Sequence, residues 1–296
     1  MRDFPIYSPV EQIFDPLFTE KKVEVFVKRD DMIHPFISGN KWRKLKYILS
    51  NAESLEKKHL VTFGGAFSNH LLATACAAAK FGFKSTGIVR GEEVQNEVLM
   101  LCKLFGMSLI FTDRVSYRDK RSLYYTHFKY EPDAIFIDEG GAGELGVKGC
   151  EELVPELQEH YDHIFCAAGT GTTAAGIIKS IEDKKVYSQV HVIPVLKAGS
   201  FLRPEIEKYT GQTFEMHLDY SFGGYAKPAP ELLIFIQNFC KSTGILIEPV
   251  YTGKMFFALF DLIKKDSFSP GSKILAIHTG GLTGILGMSA KLTLDS

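Results

Sequence analysis

Short runs rich in β-branched and aromatic residues recur along the chain, and most are followed by a stretch with helical spacing of apolar positions. Val23–Val27 reads as a strand leading to a helix that runs through Leu49, and His59–Phe63 as a strand before the Ala-rich helix Ser68–Phe81. The pattern repeats with Ser85–Val89 and Glu93–Phe105, Leu109–Phe111 and Tyr117–Phe128, and Ala134–Ile137 with Gly149–His160. It continues with His163–Ala167 and Thr172–Ile181, and with His191–Leu196 and Phe201–Thr210. Helices at Glu231–Cys240 and Met255–Lys265 and a strand at Lys273–His278 complete it. Such alternation predicts βαβ units and therefore an α/β fold, with parallel sheets covered by helices. In open sheets of this kind ligands lie beyond the carboxyl ends of the strands, so the strand-to-helix turns are where chemistry is sought.

Composition narrows the class. With 296 residues, 45% hydrophobic and 23% charged, the chain has room for one large or two medium globular domains. Lys+Arg 34 against Asp+Glu 35 gives a net charge of −1, which points to neither a polyanion nor a membrane surface as partner. The first twenty residues carry Asp3, Glu11, Asp15 and Glu20 and no basic-then-apolar run, so no signal peptide is expected. The five cysteines are widely spaced without a CxxC pair, which suggests neither a disulfide framework nor a zinc site; no metal is expected, and the compartment expected is a reducing cytoplasm.

Four segments could carry chemistry. Lys41, in Ser38-Gly39-Asn40-Lys41-Trp42-Arg43-Lys44-Leu45, enters a helix with Arg43, Lys44 and Lys46 close by in sequence. Cationic neighbours favour a neutral amine, and a neutral amine attacks carbonyl carbons, the first requirement of Schiff-base chemistry. Gly64-Gly65-Ala66-Phe67-Ser68-Asn69-His70 joins a strand to a helix; Ser68 or Asn69 serves as a cap, and the helix start can also receive a carboxylate or a ring oxygen. Ala168-Gly169-Thr170-Gly171-Thr172-Thr173 combines glycines that admit a ligand to the backbone with threonine hydroxyls at a helix start, a phosphate cradle. It is not a Walker loop, since no Lys-Ser/Thr pair ends it. Gly169-x-Gly171-x-x-Ala174 does satisfy the relaxed dinucleotide pattern, but the next strand runs through Leu196 into Lys197 without an acidic end, which disfavours NAD and leaves NADP open. The fourth segment, His278-Thr279-Gly280-Gly281, follows the last strand; its histidine reads as structural and Thr279 as presented to a ligand. Upstream, Glu248-Pro249-Val250-Tyr251-Thr252-Gly253-Lys254 sets a tyrosine near a helix start, with Lys254 readable as a solvated charge.

In this order the segments resemble the pyridoxal-phosphate enzymes of fold type II, which are tryptophan synthase β-like, and within them the D-cysteine desulfhydrase and 1-aminocyclopropane-1-carboxylate (ACC) deaminase family. Lys28-Arg29-Asp30-Asp31 with Gly39-Asn40-Lys41-x-Arg43-Lys44-Leu45 matches the family's cofactor-lysine segment, and Ser68-Asn69-His70 its turn under the cofactor ring. Glu139-Gly140-Gly141, the loop Gly169–Thr173, Pro249–Lys254 and His278–Gly281 follow in the family's order, so the resemblance covers essentially the whole chain. It implies two open, twisted, mostly parallel sheets covered by helices, with the cofactor between two domains: a large one from 1–45 plus 156–296 and a smaller one, 46–155, inserted in it. It also implies a homodimer.

The resemblance further implies residue roles. Lys41 would hold pyridoxal 5'-phosphate and then move protons at the substrate. Asn69 would bond the cofactor's ring hydroxyl, Gly169, Thr170, Gly171, Thr172 and Thr173 its phosphate, and Thr279 would face its pyridine nitrogen. Ser68, near the substrate carboxylate, would line the substrate with Asn69 and His70, while Tyr225 and Tyr251 would flank the ring and the reacting carbon. A threonine rather than a carboxylate at the pyridine nitrogen leaves a weaker electron sink, suited to β-elimination. ACC deaminases carry Glu after the tyrosine of the late Tyr-x-Gly-Lys segment and Leu in the His-x-Gly-Gly segment, where this chain has Thr252 and Thr279. The expected activity is therefore a lyase of the D-cysteine desulfhydrase kind, with ACC deaminase as the rival. An NADP-dependent oxidoreductase and a non-catalytic protein that binds the cofactor or an amino acid are the readings from other classes.

Overall fold

The computed structural model describes residues 4–197, 199–224, 227 and 229–288. In chain order the elements are β1 (Val10–Ile13), α1 (Pro16–Lys21), β2 (Glu24–Lys28), α2 (Asn40–Ser54), β3 (His59–Gly65) and α3 (Asn69–Phe81). Next come β4 (Lys84–Arg90), α4 (Glu97–Leu104), β5 (Met107–Thr112), α5 (Lys120–Phe128), β6 (Ala134–Phe136) and α6 (Glu144–Glu151). The remainder is β7 (His163–Ala168), α7 (Thr172–Lys184), β8 (Gln189–Pro194), α8 (Leu202–Glu207), β9 (Glu215–Met216), α9 (Pro230–Thr243), α10 (Thr252–Lys264) and β10 (Lys273–Ile277).

The chain divides into two compact units. The first is built on His34–Gly149, joined by short pieces from both ends of the chain, among them the segment that starts at Thr283. Its four-stranded sheet has the order β5-β4-β3-β6, parallel throughout. β3 is buried along six of its seven residues, the mark of a strand covered on both faces. α2 lies wholly in this unit, packed on α3, where a boundary at residue 45 would have cut it. The second unit, Ile6–Ile33 with Cys150–Leu282, has a six-stranded sheet ordered β1-β2-β10-β7-β8-β9. All its neighbours are parallel except β1, which closes one edge antiparallel to β2. Its core sets Val25, Val27, Phe165, Ile193, Ile274 and Ala276 of the strands against Leu232, Ile236, Met255, Phe256 and Leu259 of α9 and α10.

Two mainly parallel sheets with helices are what the alternating pattern predicts. The deviations have local causes. The helix expected over Gly149–His160 is instead α6, which ends at Glu151 ahead of a short 3-10 turn, Val154–Glu156. Pro155 has no amide to continue a helix. Within α6, Gly149 admits the close approach of α2, since a Cβ there would run into the Arg43 carbonyl. α4 starts at Glu97, not Glu93, because Asn96 accepts a hydrogen bond from the Leu99 amide, and α5 starts at Lys120 because Asp119 accepts from Ser122. β1, α1 and the two-residue β9 are too short to show a period in sequence. None of the five cysteines forms a disulfide, and among the described residues no helix is long and apolar enough to cross a membrane.

Candidate active site

Lys41 is the second residue of α2. Gly39 caps that helix at φ 56°, ψ −129°, a left-handed backbone that a side chain would strain. The turn closes through Lys41 N–H to the Ser38 carbonyl and Trp42 N–H to Gly39. Lys41 is half-buried, while Arg43 and Lys44 beside it are buried. Lys44 Nζ donates to the Gly140 carbonyl at 3.2 Å. Gly140 and Gly141 both have positive φ, and Gly141 packs on the Lys44 side chain. That explains part of the Glu139-Gly140-Gly141 segment: it receives the buried lysine three residues after Lys41.

The β3–α3 turn holds Ser68, Asn69 and His70. Ser68 caps α3, its Oγ accepting from Leu71 N–H at 3.3 Å, so its own hydroxyl proton remains to donate elsewhere. Gly64 makes room for it, since a Cβ there would lie 2.6 Å from Ser68 Oγ. Asn96 steadies the turn by donating to the Ala66 carbonyl. Asn69 Oδ1 accepts from Thr283 Oγ1 at 3.0 Å, which leaves the amide's two N–H groups as its outward donors.

His70 is buried, with Nε2 2.8 Å from Thr62 Oγ1. Thr62 has one hydroxyl proton and gives it to the Ile137 carbonyl at 3.1 Å. It must therefore accept from His70, which fixes the Nε2–H tautomer. Nδ1 is left as a bare acceptor, without a partner among the described residues. Burial, and then the positive charges of Lys41 and Lys44, hold this imidazole well below its ordinary value, so it is neutral at pH 7.

In the second unit, the loop after β7 leads into α7. Gly171 is the cap residue, at φ 79°, and among the described residues no side chain caps the helix. Thr170 Oγ1 and Thr172 Oγ1 lie 3.0 Å apart over that first turn. A Cβ on Gly169 would stand 3.0 Å from Tyr251 Cε1, so this glycine lets the loop lie against the tyrosine ring. An uncapped helix start with glycines and hydroxyls is a donor set for a dianionic phosphate.

Around Tyr251 the structure is closed by its own bonds. Buried Glu248 takes the amide protons of Val250, Tyr251 and Thr252 at 2.7 Å each. Thr252 Oγ1 donates to the same carboxylate and accepts from Glu248 N–H. Lys254 is not a solvated charge: it is fully buried, and Nζ donates to the carbonyls of Val195, Ser221 and Gly224 at 3.1, 2.8 and 2.7 Å. Burial pulls this amine down to about 8, against the pull of Glu248. Three carbonyls match the three N–H groups of its charged form. The lysine so pins Gly224, next to Tyr225, which lies outside the described residues.

Thr279 follows β10, buried, ahead of Gly280 and Gly281 at positive φ. His278 is structural, as its position suggests: Nε2–H donates to the Leu246 carbonyl and Nδ1 accepts from Gly280 N–H. The structure thus groups Ser68, Asn69 and His70 on one turn in the unit that holds Lys41, and Gly169 with Tyr251 in the other. Sequence reasoning missed Thr62, Thr283 and the structural role of Glu248; their only signal is a polar residue within or beside an apolar element.

Comparison with known proteins gives a consistent answer. Residues 13–280 match the family described as pyridoxal-phosphate dependent enzyme. A Pyrococcus abyssi protein with the provisional name 1-aminocyclopropane-1-carboxylate deaminase is 32% identical, over 95% of this chain and 91% of its own length. The bifunctional D-cysteine desulfhydrase/1-aminocyclopropane-1-carboxylate deaminase of Arabidopsis thaliana is 29% identical, over 88% of this chain and 73% of its own. The crystal structure of an ACC deaminase homologue superposes with a TM-score of 0.87 at 31% identity, covering 97% of this chain and 93% of that one. Taken one at a time, a lysine at a helix start and a helix start capped by glycine alone are groups of the kind that an aldehyde and a phosphate require. Because the match over residues 13–280 extends through both units, the chain as a whole belongs to the pyridoxal-phosphate-dependent enzymes, with pyridoxal 5'-phosphate as its cofactor.

Proposed function

We propose that the enzyme is a lyase of the D-cysteine desulfhydrase kind, converting D-cysteine or a close β-substituted relative to pyruvate, ammonia and sulfide. The observation that carries this reading is the state of Thr252. Where ACC deaminases have an acidic side chain, this residue is buried and its hydroxyl is closed onto Glu248. It supplies no proton-donating acid of the kind ring opening would use.

Pyridoxal phosphate, when bound, withdraws electrons from the carbon that carries the substrate's amino group. The residues then have these roles. Lys41 would hold the cofactor's aldehyde carbon and, as a free amine, would take the proton from the substrate Cα. Ser68, whose oxygen already accepts from Leu71, donates its proton to the substrate carboxylate. His70 offers Nδ1 as a fixed acceptor to a substrate donor, Thr62 keeping the proton on the far nitrogen. Asn69 donates to the ring oxygen, and Gly169–Thr173 with the start of α7 hold the phosphate. Thr279 donates to the pyridine nitrogen, and Tyr251 and Tyr225 flank the ring. We further place the protein in the cytoplasm, which five cysteines without a disulfide suit, and as a homodimer, which the family resemblance implies.

ACC deaminase is the second reading. It is favoured by the names of archaeal relatives 32% and 30% identical to this chain. Product assays separate the two. With D-cysteine the purified enzyme is expected to release pyruvate and sulfide, and with ACC little 2-oxobutanoate; the opposite ratio would establish the rival. Lys41→Ala should alter the visible absorbance of the bound cofactor and abolish turnover with either substrate.

A further inference from the structure

Three histidines and a glutamate line up across β7, β8 and β9, away from the carboxyl strand ends. His163 opens β7, His191 lies within β8, Glu215 opens β9, and His217 follows it. His163 is five residues before the last residue of β7, roughly 16 Å at the parallel-strand rise of about 3.3 Å per residue. His163 Nδ1 is 3.0 Å from His191 Nε2, and His191 Nδ1 is 2.9 Å from His217 Nε2. Glu215 Oε2 is 3.3 Å from His191 Nδ1 and 3.6 Å from His217 Nε2.

Proton counting shows what is unusual here. A neutral imidazole has one N–H and one lone pair. If His191 donates from Nε2 to His163, its Nδ1 is a lone pair that faces the Glu215 carboxylate. If it donates from Nδ1 instead, the lone pair that faces the carboxylate is His217 Nε2. Either way, His191 Nδ1, His217 Nε2 and Glu215 Oε2 are three acceptor atoms that share one proton. A cation at their centre satisfies all three.

We infer that His191 Nδ1, His217 Nε2 and Glu215 Oε2 form a binding site for a divalent transition metal, with zinc(II) the ion whose ligand chemistry fits best. Two imidazoles and one carboxylate are a borderline donor set of the kind zinc takes. Zinc–nitrogen bonds of about 2.0–2.1 Å place tetrahedral ligands about 3.3 Å apart, and the observed 2.9, 3.3 and 3.6 Å bracket that edge. The outer shell is in place. His191 Nε2–H has His163 Nδ1 as acceptor, and the His191 ring stacks on Phe165 at 4.4 Å with planes 6° apart. Both contacts fix the orientation of the ligating nitrogen. The Glu215 side chain is 56% exposed, so the ion has a way in and a fourth position open to water. Structurally the ion would clamp β9, an edge strand that meets β8 at only two register pairs. Its site stands at the opposite end of β7 and β8 from the loop Gly169–Thr173, so the role is stabilising.

The test is zinc titration of the holoenzyme, first stripped with a chelator, in competition with a chromogenic zinc indicator, for the parent, His217→Ala and Glu215→Gln. All three keep the cofactor, so zinc drawn to the cofactor itself cancels in the comparison. The parent should bind one zinc per chain. His217→Ala should weaken it by more than the about 10- to 100-fold that outer-shell changes cost, and Glu215→Gln by less. Zinc should raise the thermal midpoint of the parent and not of His217→Ala. Glu215 is at the surface, so its variant folds and reports even where the histidine variant does not. Equal zinc affinity in the parent and Glu215→Gln, or a parent that takes no zinc from the indicator, overturns the site.

Discussion

Two strand-to-helix turns of this enzyme look alike in sequence and are finished in opposite ways. Gly64–His70 leads from β3 into α3 and is closed by its own side chain: Ser68 satisfies the Leu71 amide, and Gly64 exists to admit Ser68. Ala168–Thr173 leads from β7 into α7 and is capped by glycine alone. A capped helix start has met its need for an acceptor and is left with donors on its side chains. An uncapped one keeps that need for a ligand. On the proposed reading the first turn would therefore take a substrate carboxylate and a ring oxygen, through a serine and an asparagine, and the second a phosphate, through backbone.

The largest effect is expected from breaking the open turn. Gly171→Val forces a β-branched residue to φ 79° and sets its Cβ 3.0 Å from Ile206 Cγ1. A left-handed backbone alone costs roughly 1–2 kcal/mol for a residue with a Cβ. The cofactor dissociation constant should rise at least about tenfold, a change of about 1.4 kcal/mol, as read by equilibrium dialysis. The mirror change, Gly64→Ala, drives a methyl into Ser68 and Leu71. It should lower the thermal midpoint and raise KM with less effect on cofactor affinity. If the two variants shift cofactor affinity equally, the division of labour between the turns is wrong.

Next in size is Thr62→Val. It removes the acceptor of the buried His70 Nε2–H, and a buried donor left unpaired costs about 1–3 kcal/mol. The imidazole can then present either nitrogen to the substrate, so kcat should fall along with stability. Acid adds a second reading. His70 is held well below its ordinary 6.5, so below that pH the unfolded chain binds a proton the folded enzyme refuses. The stability it contributes is present above pH 6.5 and is lost as the pH falls below it. Thermal midpoints measured downward from pH 7 should decline in the parent, and His70→Phe should flatten that decline. A parent midpoint unchanged on acidification would mean that His70 does not stay neutral.

These residues show where sequence stops being legible. Most strands, and the glycines before the second residue of α2 and at the start of α7, follow from period and turn chemistry, so the parallel α/β class could be read directly, while the roles expected of Lys41 and Gly169–Thr173 rest on the family resemblance. Thr62 could not, because within β3 it looks like any strand residue and its meaning comes from a histidine brought over it by the turn. Lys254 and Glu248 could not, because a lysine and a glutamate near a helix start look solvated until burial is known. The histidine column depends on the register between β7, β8 and β9, which no spacing along the chain encodes. The misplaced helix at Gly149–His160 has a simpler cause: apolar spacing outweighed the evidence of Pro155.

Ser68→Ala tests the closed turn more gently. Loss of the cap should cost about 1 kcal/mol of stability, and loss of the hydroxyl proton should raise KM for the amino-acid substrate. Ser68→Thr keeps a capping oxygen and should recover most of the stability. A variant that loses stability but keeps its KM would confine Ser68 to capping and move the carboxylate elsewhere.

The smallest effect, and the sharpest for the comparison, is Thr283→Val. Asn69 follows the cap of α3, and its amide could turn either its oxygen or its nitrogen outward. Thr283 decides this by donating to Oδ1, so that the N–H groups are what Asn69 would offer to the cofactor's ring oxygen on the proposed reading. A single hydrogen bond of this kind is worth about 0.5–1.5 kcal/mol net. Thr283→Val should therefore weaken cofactor binding by only about two- to tenfold, leave the phosphate turn untouched, and shift the cofactor's absorbance as the ring oxygen loses part of its donor. Thr283→Ser, which keeps the hydroxyl, should restore both. If valine at 283 changes neither affinity nor spectrum, Asn69 does not depend on that bond for its orientation, and the donor face of the closed turn is set by α3 alone.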